Sequence, residues 1–328
     1  MSTTGAPRAV VILPVRNRRD LLRRALDALD QQDCRDFEVV VVDDGSTDGS
    51  DEEAVARPVA GRPVRLLRSG GVGAVRARLA AIEATDAPVL AFTDSDCEPV
   101  PGWLSAALRH LDEGAALVHG LTLPARKPRP LERSVTEKAF GLFPTCNLVL
   151  TRESYERAGG FDPSTGTRWG FRLTGRAKGL GFGEDTLLGW AVARQAPSVY
   201  EEAMLVHHHV FPPDLRESFS RAWQCGAFPA MVRECPELRE TVMRREVLWG
   251  HRSRVPAYAT ALALASRRRG LVAVAAGWWL LHRYRYTLRH ADLTSVEKAQ
   301  GLPVQLALDA VQATAMAAGS VKARTIVL

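Results

Sequence analysis

The 328 residues predict a doubly wound α/β domain with a Rossmann-like sheet, followed by a helical C-terminal extension. Three observations carry that expectation. Short apolar, β-branched runs recur at 9–15, 37–42, 64–67 and 89–92, with helical patterns between most of them, as parallel strands joined by crossover helices require. Two of these runs end in neighbouring acids, Asp43-Asp44 and Asp94-Ser95-Asp96, where open α/β sheets bind their ligands, beyond the carboxyl ends of the strands. From about residue 213 onward the pattern is helical, so the expected division is 1–212 and 213–328.

Each element has a local reason. The run at 9–15 is aliphatic and closes on Pro14 and Asn17; Asp20 then stands in the first turn of a helix whose Leu22, Ala25, Leu26 and Leu29 recur at helical spacing up to about residue 31. A strand at 37–42 runs into the turn Asp43-Asp44-Gly45-Ser46-Thr47-Asp48-Gly49. A short strand at 64–67 and an Ala-rich helix at 72–84, with Arg76 and Arg78 near its start, precede the buried strand at 89–92. Next come a helix from Trp103 to about His110, a strand at 116–121, a basic Pro-rich linker at 124–130 and a strand beginning near Cys146. The stretch between Asp162 and Gly183, rich in Gly, Arg and Thr and without a period, reads as a long loop or lid. A helix then opens at Glu184-Asp185, and a strand at 199–206 leads into His207-His208-His209. Helices are expected at 216–233, 237–249 and 302–318.

Composition excludes several classes. At 46% hydrophobic and 24% charged, the chain is neither disordered nor fibrous. Five scattered cysteines, Cys34, Cys97, Cys146, Cys225 and Cys235, follow the usage of a reducing compartment. The first apolar run reads as a strand rather than a secretory leader, so a cytoplasmic setting is expected. The net charge of +6 concentrates in arginines after residue 233, which suggests an anionic partner; no nucleic-acid motif accompanies them.

Apolar runs at 258–265 and 271–281 flank Arg267-Arg268-Arg269, with Trp278, Trp279, Arg283, Tyr284 and Tyr286 nearby. Each is shorter than the roughly 20 residues needed to cross a bilayer. Three readings stand open for them: helices lying in an anionic membrane interface at the inner face of the cell membrane, a hairpin packed on the sheet domain, or a homodimer contact.

The residues themselves suggest metal and phosphate chemistry. Asp94 and Asp96, two residues apart, repel each other and call for a positive group between them; few hard oxygen ligands, with positions left for phosphates, suit Mg²⁺ or Mn²⁺. The plain alternative is a solvated Asp-Ser-Asp turn. Asp43 or Asp44 can accept N–H donors from a planar ring, or simply cap the following helix. Glu184 and Asp185 can serve as catalytic acids or only as first-turn acids favoured by the helix dipole. Adjacent strand residues point to opposite faces, so at most one or two of the three histidines can reach a metal.

Taken in order, these motifs resemble the family 2 glycosyltransferases, whose fold is called GT-A. Pro14-Val15-Arg16-Asn17 is similar to that family's Pro-Val-Tyr-Asn opening, 41–48 to its nucleotide-binding turn, and Asp94-Ser95-Asp96 to its Asp-x-Asp motif. Asn147 to Arg152 with Gly159-Gly160-Phe161-Asp162 resembles its acceptor-side segment, and Gly183-Glu184-Asp185 its Glu-Asp motif. The resemblance implies a nucleotide-sugar donor, a uridine diphosphate first, bound by Pro14, Val15, Asn17, Asp43 or Asp44, Arg76 and Asp94. Ala77 stands where the family usually has Asn. It implies a metal at Asp94 and Asp96, with His207 as a further ligand, and Asp185, flanked by Glu184, as the base acting on a small-molecule or lipid-linked acceptor. Two other readings share the sheet: a sugar nucleotidyltransferase, which normally opens on a Gly-rich phosphate loop absent after this first strand, and a non-catalytic nucleotide-binding or scaffolding protein.

Overall fold

The computed structural model describes residues 6–129, 131–138, 140–169, 182–243, 254–288 and 294–328. The chain divides into two compact units: Met1–Arg126 with Ser134–Gly166 and Lys178–Val210, and Lys127–Arg133 with the described part of Thr167–Ala177 and Phe211–Leu328.

The first unit is built on one sheet of strands β1 (Ala9–Val15), β2 (Phe37–Asp43), β3 (Arg65–Arg68), β4 (Val89–Thr93), β5 (Cys97–Pro99), β6 (Leu117–Pro124), β7 (Asn147–Thr151) and β8 (Ser198–His208), in the order β3-β2-β1-β4-β7-β6-β8-β5. The half from β3 to β4 is parallel, as the alternation predicts; β7 then enters antiparallel to both β4 and β6, and β5 antiparallel to β8. A wholly parallel sheet is thus the expectation only for the first half. The Pro-rich stretch expected as a linker from 124 instead begins inside β6, whose pairing with β8 runs to Pro124 opposite His208.

Helices α1 (Arg19–Asp30), α2 (Ser50–Ala54), α3 (Ala74–Glu83), α4 (Trp103–Asp112), α5 (Arg152–Arg157), α6 (Thr165–Arg168) and α7 (Glu184–Ala193) follow in sequence. The strands β1, β2 and β4 are almost fully buried, and Leu22, Ala25, Leu26 and Leu29 of α1 pack on them, which places the core where the helical spacing predicts. Asn147, fully buried, ties three elements together: its Oδ1 accepts from Trp103 Nε1 at 2.8 Å, and its Nδ2 donates to Leu121 O and Met204 O, both at 2.9 Å. Gly120 is needed beside it, because a Cβ there would stand 1.9 Å from Met204 O. Most of the stretch read as a lid, 170–181, lies outside the described residues.

The second unit holds α8 (Leu215–Gln224), α9 (Phe228–Glu234), α10 (Arg254–Ala265), α11 (Arg269–Leu288) and α12 (Ser295–Ala323). The helix expected at 216–233 is broken by a 3-10 turn, Cys225–Ala227. Where a helix is expected at 237–249, a second 3-10 turn, Pro236–Arg239, follows the proline; 244–249 lie outside the described residues. The last helix is longer than expected, because it continues through Pro303 at the loss of one backbone hydrogen bond.

Candidate active site

Three turns at the carboxyl ends of the parallel strands are stitched into one cradle. After β1 the chain turns through Asn17 at φ 51°, a left-handed conformation that Asn tolerates better than most residues. Asn17 N donates to Ser46 Oγ at 2.9 Å and its Oδ1 accepts from Thr47 N at 2.8 Å, while Asp44 N donates to Val15 O at 2.8 Å. Asp44 then closes the cradle: its carboxylate accepts from Ser69 Oγ and from the backbone N–H of Gly71, Val72 and Gly73, at 2.7–2.9 Å. Asp43 caps its own turn, accepting from Ser46 N at 3.2 Å. Of the two acids expected at the donor base, Asp44 is thus occupied in holding the 69–73 loop. Pro14 and Val15 are buried in the strand end, so only their backbone faces the turn.

The Asp-Ser-Asp turn follows β4. Asp94 Oδ1 accepts from Arg78 Nη2 at 2.6 Å, and Arg78 is buried. Sequence reasoning places Arg76 against the donor; Arg76 is exposed on α3, and it is Arg78 that meets the acid. The signal was present in the helical period, since Arg78 falls on the stripe of Val75 and Ile82, both buried.

Asp96 lies deeper. Its Oδ2 is 2.5 Å from Arg18 Nη1 and 3.7 Å from His208 Nε2. Carboxylate, imidazole and the Cys97 thiol bring one ligand atom each within 4.8 Å of one another, so the residues present can hold a divalent ion. Burial pushes the Cys97 thiol well up, and the nearby Cys146 adds to the rise; Asp96 offers the hard oxygen suited to Mg²⁺ or Mn²⁺, and His208 a borderline imidazole nitrogen beside it. The histidine brought to Asp96 is His208, whereas His207 pairs opposite Glu98 in the ladder and its Nδ1 has no hydrogen-bond partner among the described residues. Met204, Val206 and His208 alternate on the buried face of β8, a period-two signal that points to His208.

Helix α7 supplies the remaining acids. It is pinned by Thr186 Oγ1 to Leu142 O at 2.7 Å and by Trp190 Nε1 to Gly141 O at 2.9 Å. Gly189 admits the Phe143 ring, which a Cβ would approach to 2.2 Å. Glu184 is buried and its Oε2 has no hydrogen-bond partner among the described residues; burial pushes its carboxyl up to about 7, and the charge of Asp185 adds to the rise. Burial likewise raises Asp185 to about 6, against hydrogen bonds from the backbone of Thr186 and Thr145 and the charge of Arg78. Arg78 and Asp94 both act on Glu184 electrostatically, so α7 and the Asp-Ser-Asp turn share one field.

A turn cradle, a buried acid beside an imidazole and a separate pair of acids with raised pKa values gather at the carboxyl ends of the strands. The family model of glycosyl transferase family 2 matches residues 10–162. The glycosyltransferase AglE of Haloferax volcanii is 34% identical over 122 residues, covering 36% of this chain and 40% of that one. The GalNAc(5)-diNAcBac-PP-undecaprenol beta-1,3-glucosyltransferase of Campylobacter jejuni is 30% identical over 118 residues, 35% of this chain and 38% of that one. The chain thus spans less than half the length of these curated relatives. The mannosyltransferase PcManGT of Pyrobaculum calidifontis, solved with GDP-Man and Mn²⁺, shares the fold at a TM-score of 0.53 and 18% identity, over 98% of this chain and 88% of that one.

Proposed function

We propose that the chain is an inverting glycosyltransferase that moves a sugar from a nucleoside-diphosphate donor, UDP first, to an acceptor hydroxyl. The observation that carries the reading is the shared field of Asp94, Arg78, Glu184 and Asp185 at the carboxyl edge of the sheet. Asp185 takes the proton from the acceptor hydroxyl as that oxygen attacks the anomeric carbon opposite the leaving diphosphate, and one in-line displacement inverts the centre. Glu184, with the higher pKa, keeps a proton near neutrality and spares Asp185 a second like charge. The turns at Asn17, Asp43 and 69–73 receive the base and ribose, and Asp94, held by Arg78, faces the sugar side. Asp96 and His208 would hold a Mg²⁺ or Mn²⁺ ion, whose chemistry there is neutralisation of the departing diphosphate.

A thermal-shift screen of nucleoside diphosphates and their sugars, with and without Mn²⁺, tests this on wild type and Asp185→Asn. Ligands that bind only the folded state raise its apparent stability. The expected result is metal-dependent stabilisation by one nucleotide in both proteins, with sugar release lost in Asp185→Asn. No response to any nucleotide rejects the reading.

The acceptor we assign is lipid-linked, presented at an anionic membrane surface. Leu262 and Val274, each 73% exposed, together with Leu264, Leu271 and Trp278, leave the contacting helices α10 and α11 apolar on the outside, and Arg267–Arg269 between those helices are exposed. No helix among the described residues is long and apolar enough to cross a membrane, which suits helices lying in the interface plane with arginines at the headgroups. The name of the Campylobacter relative, with its undecaprenol-linked acceptor, points the same way. Flotation with phosphatidylglycerol vesicles should carry wild type and not Leu262→Glu/Val274→Glu; equal failure on anionic and neutral vesicles, with a dimer in sedimentation, assigns the face to a second copy instead.

A further inference from the structure

Arg18 and His208 converge on one oxygen of Asp96. Arg18 Nη1 lies 2.5 Å from Asp96 Oδ2, the same oxygen that His208 Nε2 approaches to 3.7 Å. An ion taken by Asp96 and His208 would share that oxygen with a guanidinium, and two cations at one carboxylate oxygen repel. The side chains differ in their freedom to yield. Those of Asp96 and His208 are 5% and 9% exposed, whereas that of Arg18 is 37% exposed and carried on the turn before α1. Arg78, the other guanidinium of the site, is buried against Asp94 and has no such freedom.

We propose that Arg18 is an internal counter-cation for Asp96 that gives way to the divalent ion and moves onto the donor's diphosphate. The proposal rests on the reading of Asp96 and His208 as the metal ligands. Arg18 alone opposes the ion, since it must be displaced; with a nucleoside diphosphate present, the displaced guanidinium gains two phosphates as partners. Metal and nucleotide therefore bind cooperatively, and the coupling is reciprocal.

The experiment is Mn²⁺ binding followed by the electron paramagnetic resonance signal of the free ion, with and without UDP or GDP, on wild type, Arg18→Gln, Arg18→Lys and Asp96→Asn. Wild type should bind Mn²⁺ weakly alone and about tenfold or more tightly with the nucleotide it prefers, within the usual range of coupling. Arg18→Gln should bind Mn²⁺ alone about tenfold more tightly than wild type and lose most of the nucleotide enhancement. Arg18→Lys, which keeps the charge, should stay near wild type. If Asp96→Asn binds Mn²⁺ as wild type does, the metal centre is elsewhere and the proposal falls with it. If Asp96→Asn abolishes binding but Arg18→Gln matches wild type with and without nucleotide, the metal reading stands and the role of Arg18 is overturned.

Discussion

Each unit buries a carboxylate against an arginine, and the two pairs are built differently. In the helical unit Asp309 is 1% exposed, accepts from Trp279 Nε1 at 3.0 Å and from Arg283 Nε at 2.5 Å on one oxygen, and from Arg283 Nη2 on the other. Both oxygens are fixed, and the pair binds α11 to α12. In the sheet unit Asp96 is 6% exposed, yet its arginine is half-exposed and its imidazole neighbour stands beyond hydrogen-bond reach at 3.7 Å. A forked, saturated carboxylate holds helices together. In the sheet unit the arginine reaches Asp96 through one nitrogen on one oxygen and is itself half-exposed, so the carboxylate is less enclosed.

The sharpest separation comes from one substitution in each unit. Asp185→Asn should lower turnover by about 10²–10⁴ through loss of the base while nucleotide binding persists, as measured by sugar transfer and thermal shift in parallel. Asp309→Ala should do the reverse. Removing the buried carboxylate that accepts from both Trp279 and Arg283 should cost about 3–5 kcal/mol in chemical denaturation, with turnover per folded molecule retained. A loss of turnover without loss of stability in Asp309→Ala would break the contrast.

The acids of α7 make a pH prediction of intermediate size. Their folded pKa values stand above the unfolded ones, so the folded state holds more protons between about pH 4 and 7, and stability falls as pH rises through that window. Glu184→Gln removes much of this dependence and should gain on the order of 2–3 kcal/mol relative to wild type between pH 4.5 and 7.5. Identical urea midpoints for the two proteins at both pH values would reject it. Turnover of wild type should rise with pH through about 6, as Asp185 loses its proton.

The smallest effect tests the arginine assignment. Arg76→Ala, on an exposed face, should change stability by less than about 0.5 kcal/mol, whereas Arg78→Ala leaves the partly exposed Asp94 unpaired and should cost about 2–3 kcal/mol. A large loss of donor affinity in Arg76→Ala would return that residue to the donor side.

The motifs made the sheet and the location of the site legible. The acidic turns after β2 and β4 and the acids opening α7 stand where apolar runs and turn chemistry put them, because strand ends and helix starts are local events. Partners were less legible. Arg18 was invisible as the neighbour of Asp96 because the two are far apart in sequence, and Asp44 read as a ligand although four loop donors use it. Arg78 and His208 lay within reach of period counting, on the buried stripes of α3 and β8.

By itself, the sequence determined the alternating strands and helices, the parallel half of the sheet and the edge at which its acids gather, since periodicity and turn residues act over a few positions. Only the tertiary structure decided that β7 enters antiparallel and that Asp44 holds the 69–73 loop. It likewise decided that His208 faces Asp96 and that Arg18 pairs with it. Those outcomes depend on which distant elements pack together, and a hydrogen-bond partner is chosen by space rather than by neighbourhood in the chain.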